Sequence, residues 1–264
     1  MKFSVLTSGS SGNLTYVEGG GIRLLIDVGV SCRKIEQLLA TIDVPPSSIN
    51  AILITHEHVD HVRGLQHFGE KYKVDIYANE GTAAVVERQI RRENKTPPPF
   101  VLFESNIPFM LGDLTVTPVR ISHDTAEPVG YLIEENQTTF GLFTDLGVAP
   151  ERITTMMAQC HALVLESNHD LEMLKNSNRG YALISRISGA SGHLSNMQAC
   201  EALLNAAPAS LQTLVLAHLS GECNQPEVAH AMMARTLQLM HREEVQLHVA
   251  SQTVPLPLMT IDCP

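Results

Sequence analysis

The stretch Thr55-His56-Glu57-His58-Val59-Asp60-His61 decides the fold, because it places four metal-binding side chains within six residues. It follows the apolar run 51–54, which is typical of a short buried strand. The side chains therefore lie on a loop at the end of that strand, where the backbone can direct them toward one point. Imidazole and carboxylate together suit zinc, manganese or iron(II), whereas calcium sites are built from oxygen. The pattern predicts a metal centre that activates water.

The competing interpretation of this stretch is a loop of solvated polar residues. A lone His-x-His would favour that interpretation. The motif His-x-His-x-Asp-His, however, supplies ligands for two metals, and polar groups beside a buried strand need partners. We therefore favour the metal site.

Length and composition indicate a globular enzyme-sized protein. The chain has 264 residues, of which 44% are hydrophobic, so it can bury a full core without disulfides or structural metals to stabilise it. We expect a single domain over residues 1–264. Five widely spaced cysteines form no C-x-x-C pair, which argues against both a disulfide framework and a thiolate zinc site. No apolar run approaches the ~18 residues of a membrane span, and the N-terminus lacks a signal peptide's apolar segment, so we expect a cytoplasmic protein.

The net charge of −10 has the wrong sign for binding nucleic acid through a broad basic face. Phosphate chemistry is still compatible with this charge, because two divalent cations add about +4 locally. The segment from Arg88 to Lys95 is a basic exception with four cations. It can guide a polyanion or form a solvated helix end before the prolines at 97–99, and we favour the helix end.

Hydrophobic periodicity predicts many strands and few helices. Strands are expected at 2–6, 14–18, 22–26, 51–55, 74–78, 114–121, 130–133, 138–144, 162–166, 213–217 and 245–249. Helices are expected from the N-cap Ser31, over 81–92, from Ser195 with a capping box, and over 226–241 after an Asn224 cap and Pro226. This arrangement of many strands and few helices predicts an α+β fold in which two packed sheets are covered by helices.

Four further acidic or imidazole residues stand at the ends of apolar strands. They are Asp27, His123, Asp145 and His218. One such residue alone would mean little. Several together indicate that the strand ends converge on one pocket, the usual position of a site in layered folds.

The order of these motifs resembles that of the metallo-β-lactamase superfamily. The resemblance runs from Asp27 to His218 and implies a four-layer αββα sandwich. It also implies two divalent metal ions, zinc or manganese. The first would be held by His56, His58 and His123, the second by Asp60, His61 and His218. Asp145 would bridge both metals, and Asp27 would orient the loop and a ligand imidazole.

Further segments are similar to the YycJ/WalJ/VicX family. They are Thr7–Asn13, Leu165–Asp170, Arg186–Gly189, Gly192–Asn196 and His218–Ser220. This resemblance implies a 5′-to-3′ exonuclease whose partner is double-stranded DNA. His169 departs from it, because we expect tyrosine there. Only about twenty residues separate Asp145 from Glu166, so the capping domain of β-CASP ribonucleases is missing and the site should be open.

The expected mechanism uses hydroxide formed from a water that both metals share. Asp60, Asp145 and His193 are the candidate catalytic residues. His193 stands before the Ser195 helix start, where it can protonate the leaving 3′ oxygen or hydrogen-bond within the turn. The N-termini of helices bind anions, so three further polar residues are candidate phosphate contacts. They are Ser195, Asn196 and Ser220.

Other functions stay open on the same scaffold. Two metals serve acyl transfer as well as phosphoryl transfer, so a thioester, lactone or β-lactam hydrolase or a cyclic phosphodiesterase is an alternative. A noncatalytic regulatory protein is expected to have lost ligands, and none is lost here. A di-iron redox centre typically has glutamate at the second histidine, where this chain has His58.

Overall fold

The computed structural model describes residues 1–262, in which two seven-stranded mixed sheets pack against each other. The strands of these residues, in chain order, are β1 (Lys2–Thr7), β2 (Leu14–Gly19), β3 (Ile22–Ile26), β4 (Ala51–Leu53), β5 (Asp75–Asn79), β6 (Phe100–Phe103), β7 (Phe109–Leu111), β8 (Leu114–Arg120), β9 (Val129–Glu135), β10 (Thr138–Phe143), β11 (Ala162–Glu166), β12 (Thr213–Ala217), β13 (Gln246–Val249) and β14 (Met259–Thr260). The first sheet has the order β14-β1-β2-β3-β4-β5-β6, and the second has the order β13-β12-β11-β10-β9-β8-β7.

Helices connect the strands. They are α1 (Cys32–Ala40), α2 (Val59–Val62), α3 (Leu65–Tyr72), α4 (Glu80–Arg92), α5 (Glu151–Met157), α6 (Leu171–Lys175), α7 (Tyr181–Ile187), α8 (Asn196–Ala206) and α9 (Pro226–Leu239). None of these helices within residues 1–262 is long and apolar enough to cross a bilayer. The cytoplasmic location and the single-domain organisation stay predictions.

Strand residues alternate between two buried faces, which defines four layers. In β11, Leu163 and Leu165 pack with the helices outside the second sheet, whereas Val164 lies between the sheets. In β3, Leu24 faces the same inter-sheet layer, and Leu25 packs with the helices outside the first sheet. Because side chains alternate along a strand, each sheet buries both faces. The expected α+β, four-layer αββα sandwich is confirmed.

Helix starts follow the capping chemistry in two of three cases. Ser31 caps α1 by accepting from the backbone N–H of Lys34, and Ser195 forms a capping box with Gln198 at α8. The expected Asn224 cap of α9 is wrong, since Gln225 occupies the N-cap position without a side-chain bond. The reason is competition for Oδ1 of Asn224, which accepts instead from the Asn196 side-chain amide and from the backbone N–H of Gln225, both at 2.9 Å.

The inter-sheet layer offers a direct test of the architecture. Phe140 is fully buried there, with its ring centroid 5.0 Å from that of Phe3. We expect Phe140→Ala to lower the free energy of unfolding by ~3–5 kcal/mol, because it removes a core aromatic ring and leaves a cavity. Urea denaturation measures the effect. Met110→Ala is the matched control at a residue that is 60% exposed; equal losses in both variants would contradict the assigned core.

Candidate metal centre

Asp27, directly after β3, fixes the metal-binding loop that follows β4. Its Oδ1 accepts the backbone N–H of Thr55 at 2.9 Å, and its Oδ2 accepts the Thr55 hydroxyl at 2.8 Å. Oδ2 also lies 2.7 Å from Nδ1 of His61. The carboxylate is buried, so these bonds are shielded from water. Asp27 therefore occupies the orienting position that the superfamily resemblance implied.

Three residues of the candidate site have left-handed backbone conformations where strands end. Asp27, Asp145 and His218 have φ angles of 60°, 58° and 56°. This conformation costs ~1–2 kcal/mol for most residues, although Asp and His adopt it more readily. Hydrogen bonds stabilise it here; the backbone N–H of His218, for example, donates to the Ser8 hydroxyl at 2.8 Å. Such strain commonly accompanies functional sites.

The side chains form four overlapping groups of possible metal ligands, and two of these groups, the donor sets, consist of the residues expected for the two metals. In each set, the ligand atoms lie within 4.8 Å of one another. One set is His56, His58 and His123. The other is Asp60, His61 and His218.

Asp145 lies between the two donor sets. Its Oδ1 is 3.4 Å from Nε2 of His218 and 3.9 Å from Nε2 of His123. Its Oδ2 is 3.4 Å from Nε2 of His61. One carboxylate thus contacts histidines of both sets, as a bridging ligand must.

Protein contacts at one ring nitrogen orient three of the histidines. Nδ1 of His61 contacts Asp27, Nδ1 of His218 lies 3.1 Å from Oε1 of Glu166, and Nδ1 of His123 lies 3.2 Å from a backbone carbonyl oxygen. Their Nε2 atoms are consequently directed into the cluster. Metal-binding histidines are held in this way in proteins, because the second nitrogen fixes the tautomer and the ring orientation.

The donor chemistry fits divalent cations. Within the described residues, Oδ2 of Asp145 and Nε2 of His218 are buried and have no hydrogen-bond partner. Buried polar atoms without partners are rare and costly, and a bound ion is one of the groups that satisfies them. Nitrogen and carboxylate oxygen are ligands for zinc and manganese.

Glu166, at the end of β11, is a site residue that the sequence reasoning did not assign. It is fully buried, and its Oε1 lies 2.8 Å from Nδ1 of His193 and 3.1 Å from Nδ1 of His218. Its Oε2 accepts the backbone N–H groups of Leu146 and Leu194. The signal was present, because Glu166 ends an apolar strand as Asp145 and His218 do.

The carboxylates dominate the electrostatics of the cluster. Burial alone would lower the pKa of His61, but Asp27 and Asp145 raise it well above its ordinary value. Burial likewise opposes protonation of His218, yet the nearby carboxylates of Asp145, Asp60 and Glu166 raise its pKa to about 10. The pKa of His56 is instead lowered, chiefly by burial. The carboxylates thus favour positive charge at His61 and His218, which a divalent cation would also supply.

The cluster opens into a cavity of about 280 Å³. His193 lines it, half-enclosed, with its Nδ1 on Glu166. Arg186 lines it as well, with Nε 2.5 Å from Oδ2 of Asp124. Asp124 in turn lies 3.5 Å from Nε2 of His123. The cavity therefore combines an imidazole and a guanidinium with the donor sets.

The candidate phosphate contacts lie in less accessible positions. The Ser195 hydroxyl caps α8, and the Asn196 side chain exchanges hydrogen bonds with Asn224. The Ser220 hydroxyl accepts the backbone N–H of Cys223 at 3.1 Å. All three proposed contacts are buried. A phosphate role for them stays a prediction, and the structure gives each side chain a protein partner.

Two features that the sequence left open have defined surroundings. His169 is fully buried, both of its ring nitrogens lack a hydrogen-bond partner within the described residues, and burial lowers its pKa to about 4. The segment from Arg88 to Lys95 forms the exposed end of α4 and the following turn. Arg91 pairs there with Glu87, and Lys95 with Glu93. These pairs agree with the favoured solvated helix end.

Fold and donor sets together define a hydrolase of the metallo-β-lactamase type. The sequence profile described as "Beta-lactamase superfamily domain" matches residues 22–219. The chain belongs to the metallo-β-lactamase superfamily. The expectation of a metal-dependent hydrolase is thereby confirmed.

Two relatives that match over most of their length indicate the family within the superfamily. "Exodeoxyribonuclease WalJ" of Streptococcus pneumoniae serotype 2 is 36% identical over 236 residues, which are 89% of this chain and 88% of that protein. "Exodeoxyribonuclease YycJ" of Bacillus anthracis is 34% identical over 238 residues, 90% of this chain and 89% of that protein. The resemblance to the YycJ/WalJ/VicX family is thus confirmed. The fold also matches the crystal structure of the metallo-β-lactamase fold protein YhfI from Bacillus subtilis, with a TM-score of 0.70, 16% identity and coverage of 97% and 98% of the two chains.

Asp145 provides the test of the donor sets. We expect Asp145→Ala to lose metal and hydrolysis, because it removes the carboxylate between two cations that then repel each other. Asp145→Asn removes the carboxylate charge and keeps the backbone conformation, since Asn also tolerates the left-handed region. Elemental analysis gives metal per chain, and the exposed Asp113→Ala is the control. Full metal content and activity in Asp145→Ala would disprove the assignment.

Proposed function

We propose that the protein is a dinuclear-metal phosphodiesterase that degrades double-stranded DNA from the 5′ end. The observation that carries this proposal is the 36% identity, over 89% of the chain, to a protein named an exodeoxyribonuclease. The donor sets support it, because two metals suit in-line displacement at phosphorus.

In this proposal, His56, His58 and His123 hold one metal, and Asp60, His61 and His218 hold the other. Zinc and manganese fit these donors. When bound, such a pair lowers the pKa of water and offsets charge on phosphoryl oxygens. Asp145 keeps the two donor sets at a fixed separation, and Glu166 and Asp27 keep the histidines in the required tautomers.

His193 supplies the proton that the leaving 3′ oxygen requires. Burial would lower its pKa, but the charge of Glu166 and the 2.8 Å contact to its Oε1 raise it, which favours the protonated ring. Because Nδ1 is engaged by Glu166, Nε2 is the nitrogen that can donate to a substrate. A protonated imidazole held by a carboxylate at the edge of the cavity has the arrangement of a general acid.

A denaturing-gel time course tests the reaction and its polarity. We expect metal-loaded protein to shorten duplex DNA nucleotide by nucleotide from the 5′ end, as seen with 5′- and 3′-labelled strands. Single strands and RNA are compared in parallel, with manganese and with zinc, and Asp145→Ala is the inactive control. If no polymer is cleaved, the substrate is instead a small ester, thioester or cyclic phosphodiester.

The role of His193 is tested by leaving-group chemistry. We expect His193→Ala to keep its metals while kcat on DNA falls ~10²-fold, the range of a lost general acid. Hydrolysis of bis(p-nitrophenyl) phosphate should fall much less, because p-nitrophenolate leaves without a proton. His230→Ala, at an exposed histidine of α9, is the matched control. Equal losses on both substrates would assign His193 a purely structural role.

A further inference from the structure

A second cavity, of about 680 Å³, lies on the surface beside the metal centre. We name it the Arg63 cleft, and its lining residues are Ser31, Cys32, Arg33, Arg63, His67, Glu70 and Lys71. We propose that the Arg63 cleft binds phosphates of the nucleic acid strand whose end is hydrolysed at the metal centre. This inference rests on the proposed function and adds a substrate-binding site to it.

The Arg63 cleft and the metal centre share one wall. Arg63 follows the donor His61 by two residues, and its Nη1 donates to the backbone carbonyl oxygen of Ser11 at 3.1 Å. The neighbouring Ser10 lines the metal cavity. Asn13, at the end of this loop, lies with its Nδ2 3.0 Å from Nε2 of His61. Arg63 and the metal cavity therefore lie against the same loop.

The charge of the cleft is opposite to that of the chain. The chain carries a net charge of −10. Within residues 1–262, neither Arg33 nor Arg63 lies within 4.0 Å of a carboxylate oxygen, although Lys71 pairs with Glu36 at 2.7 Å. Among the lining residues, Glu70 is the sole carboxylate, and it accepts a hydrogen bond from Gln66. Two exposed guanidinium groups without acidic partners thus share one concave surface, which is suited to an anion.

The position of Arg33 gives an independent argument. Arg33 and Lys34 occupy the first turn of α1, and that turn holds no acidic residue. Cations at this end oppose the helix dipole and cost stability, so helix formation does not account for them. A phosphate bound in the cleft would interact favourably with the positive end of the α1 dipole and with both cations.

A phosphodiester polymer fits both cavities better than a separate anion does. Phosphates recur every ~3.4 Å of axial rise along each strand of a duplex. One strand can therefore place one phosphate at the metals and others against Arg63 and Arg33. An acidic protein partner is the rival occupant, and it would not need the adjoining metal centre.

Binding measured without turnover tests the cleft separately from the reaction. The probe is a fluorescein-labelled duplex with phosphorothioate linkages that resist hydrolysis, titrated with metal-loaded protein at several salt concentrations. We expect Arg63→Gln and Arg33→Gln each to raise Kd about tenfold. Each should also reduce the slope of log Kd against log salt by about one, as expected for one lost phosphate contact. Arg235→Gln, at an exposed arginine of α9, should change neither quantity.

Metal content should match the wild type in both cleft variants, because the donors are intact. Unchanged Kd and salt slope in these variants would overturn the cleft assignment, even if the wild type digests DNA. Arginine-dependent binding by a protein that cleaves no polymer would support the cleft and overturn the exonuclease proposal. No duplex binding by the wild type would overturn both.

Discussion

The carboxylate of Asp27 is the contact on which the rest of the metal centre depends. It joins the end of β3 to the start of the metal-binding loop through Thr55 and orients His61 from behind. Backbone bonds extend the same junction, since the N–H of Val28 donates to the carbonyl oxygen of His61 at 2.8 Å. Glu166 has the matching function in the second sheet. Asp27 and Glu166 are buried carboxylates that do not contact substrate. They set the geometry of the histidines that would bind the metals.

These carboxylates also explain how an acidic chain can be suited to an anionic substrate. Together with Asp145, they raise the pKa values of His61 and His218, so the cluster attracts positive charge. Divalent cations satisfy this attraction and reverse the local sign of the field. In the proposed Arg63 cleft, Arg33 and Arg63 would add positive charge where neighbouring phosphates would lie. The net charge of the chain is therefore a poor guide to the field at its site.

Much of the fold and site could be predicted, and the failures have physical reasons. Strands β3, β11 and β12 have the expected bounds, because their apolar runs are ended by a charged or polar residue. The candidate metal ligands were recognisable because they follow such runs. The short elements from β6 to β7 and the helices α5 to α7 were missed, since exposed apolar residues such as Leu102 and Leu183 obscure their periodicity. Glu166 was missed because its partners, His193 and His218, lie 27 and 52 residues away.

The two donor sets are each divided between the sheets. His56, His58, Asp60 and His61 follow β4 in the first sheet, whereas His123 and His218 follow β8 and β12 in the second. A hydrogen bond from the Tyr131 hydroxyl to the Ile54 carbonyl oxygen, at 2.6 Å, crosses the same seam. Each bound ion would therefore link the two sheets, so its binding free energy would stabilise their packing against each other. A chelator would then weaken the packing of the two sheets, and a fragment containing the first sheet alone would lack one ligand of each set, His123 or His218.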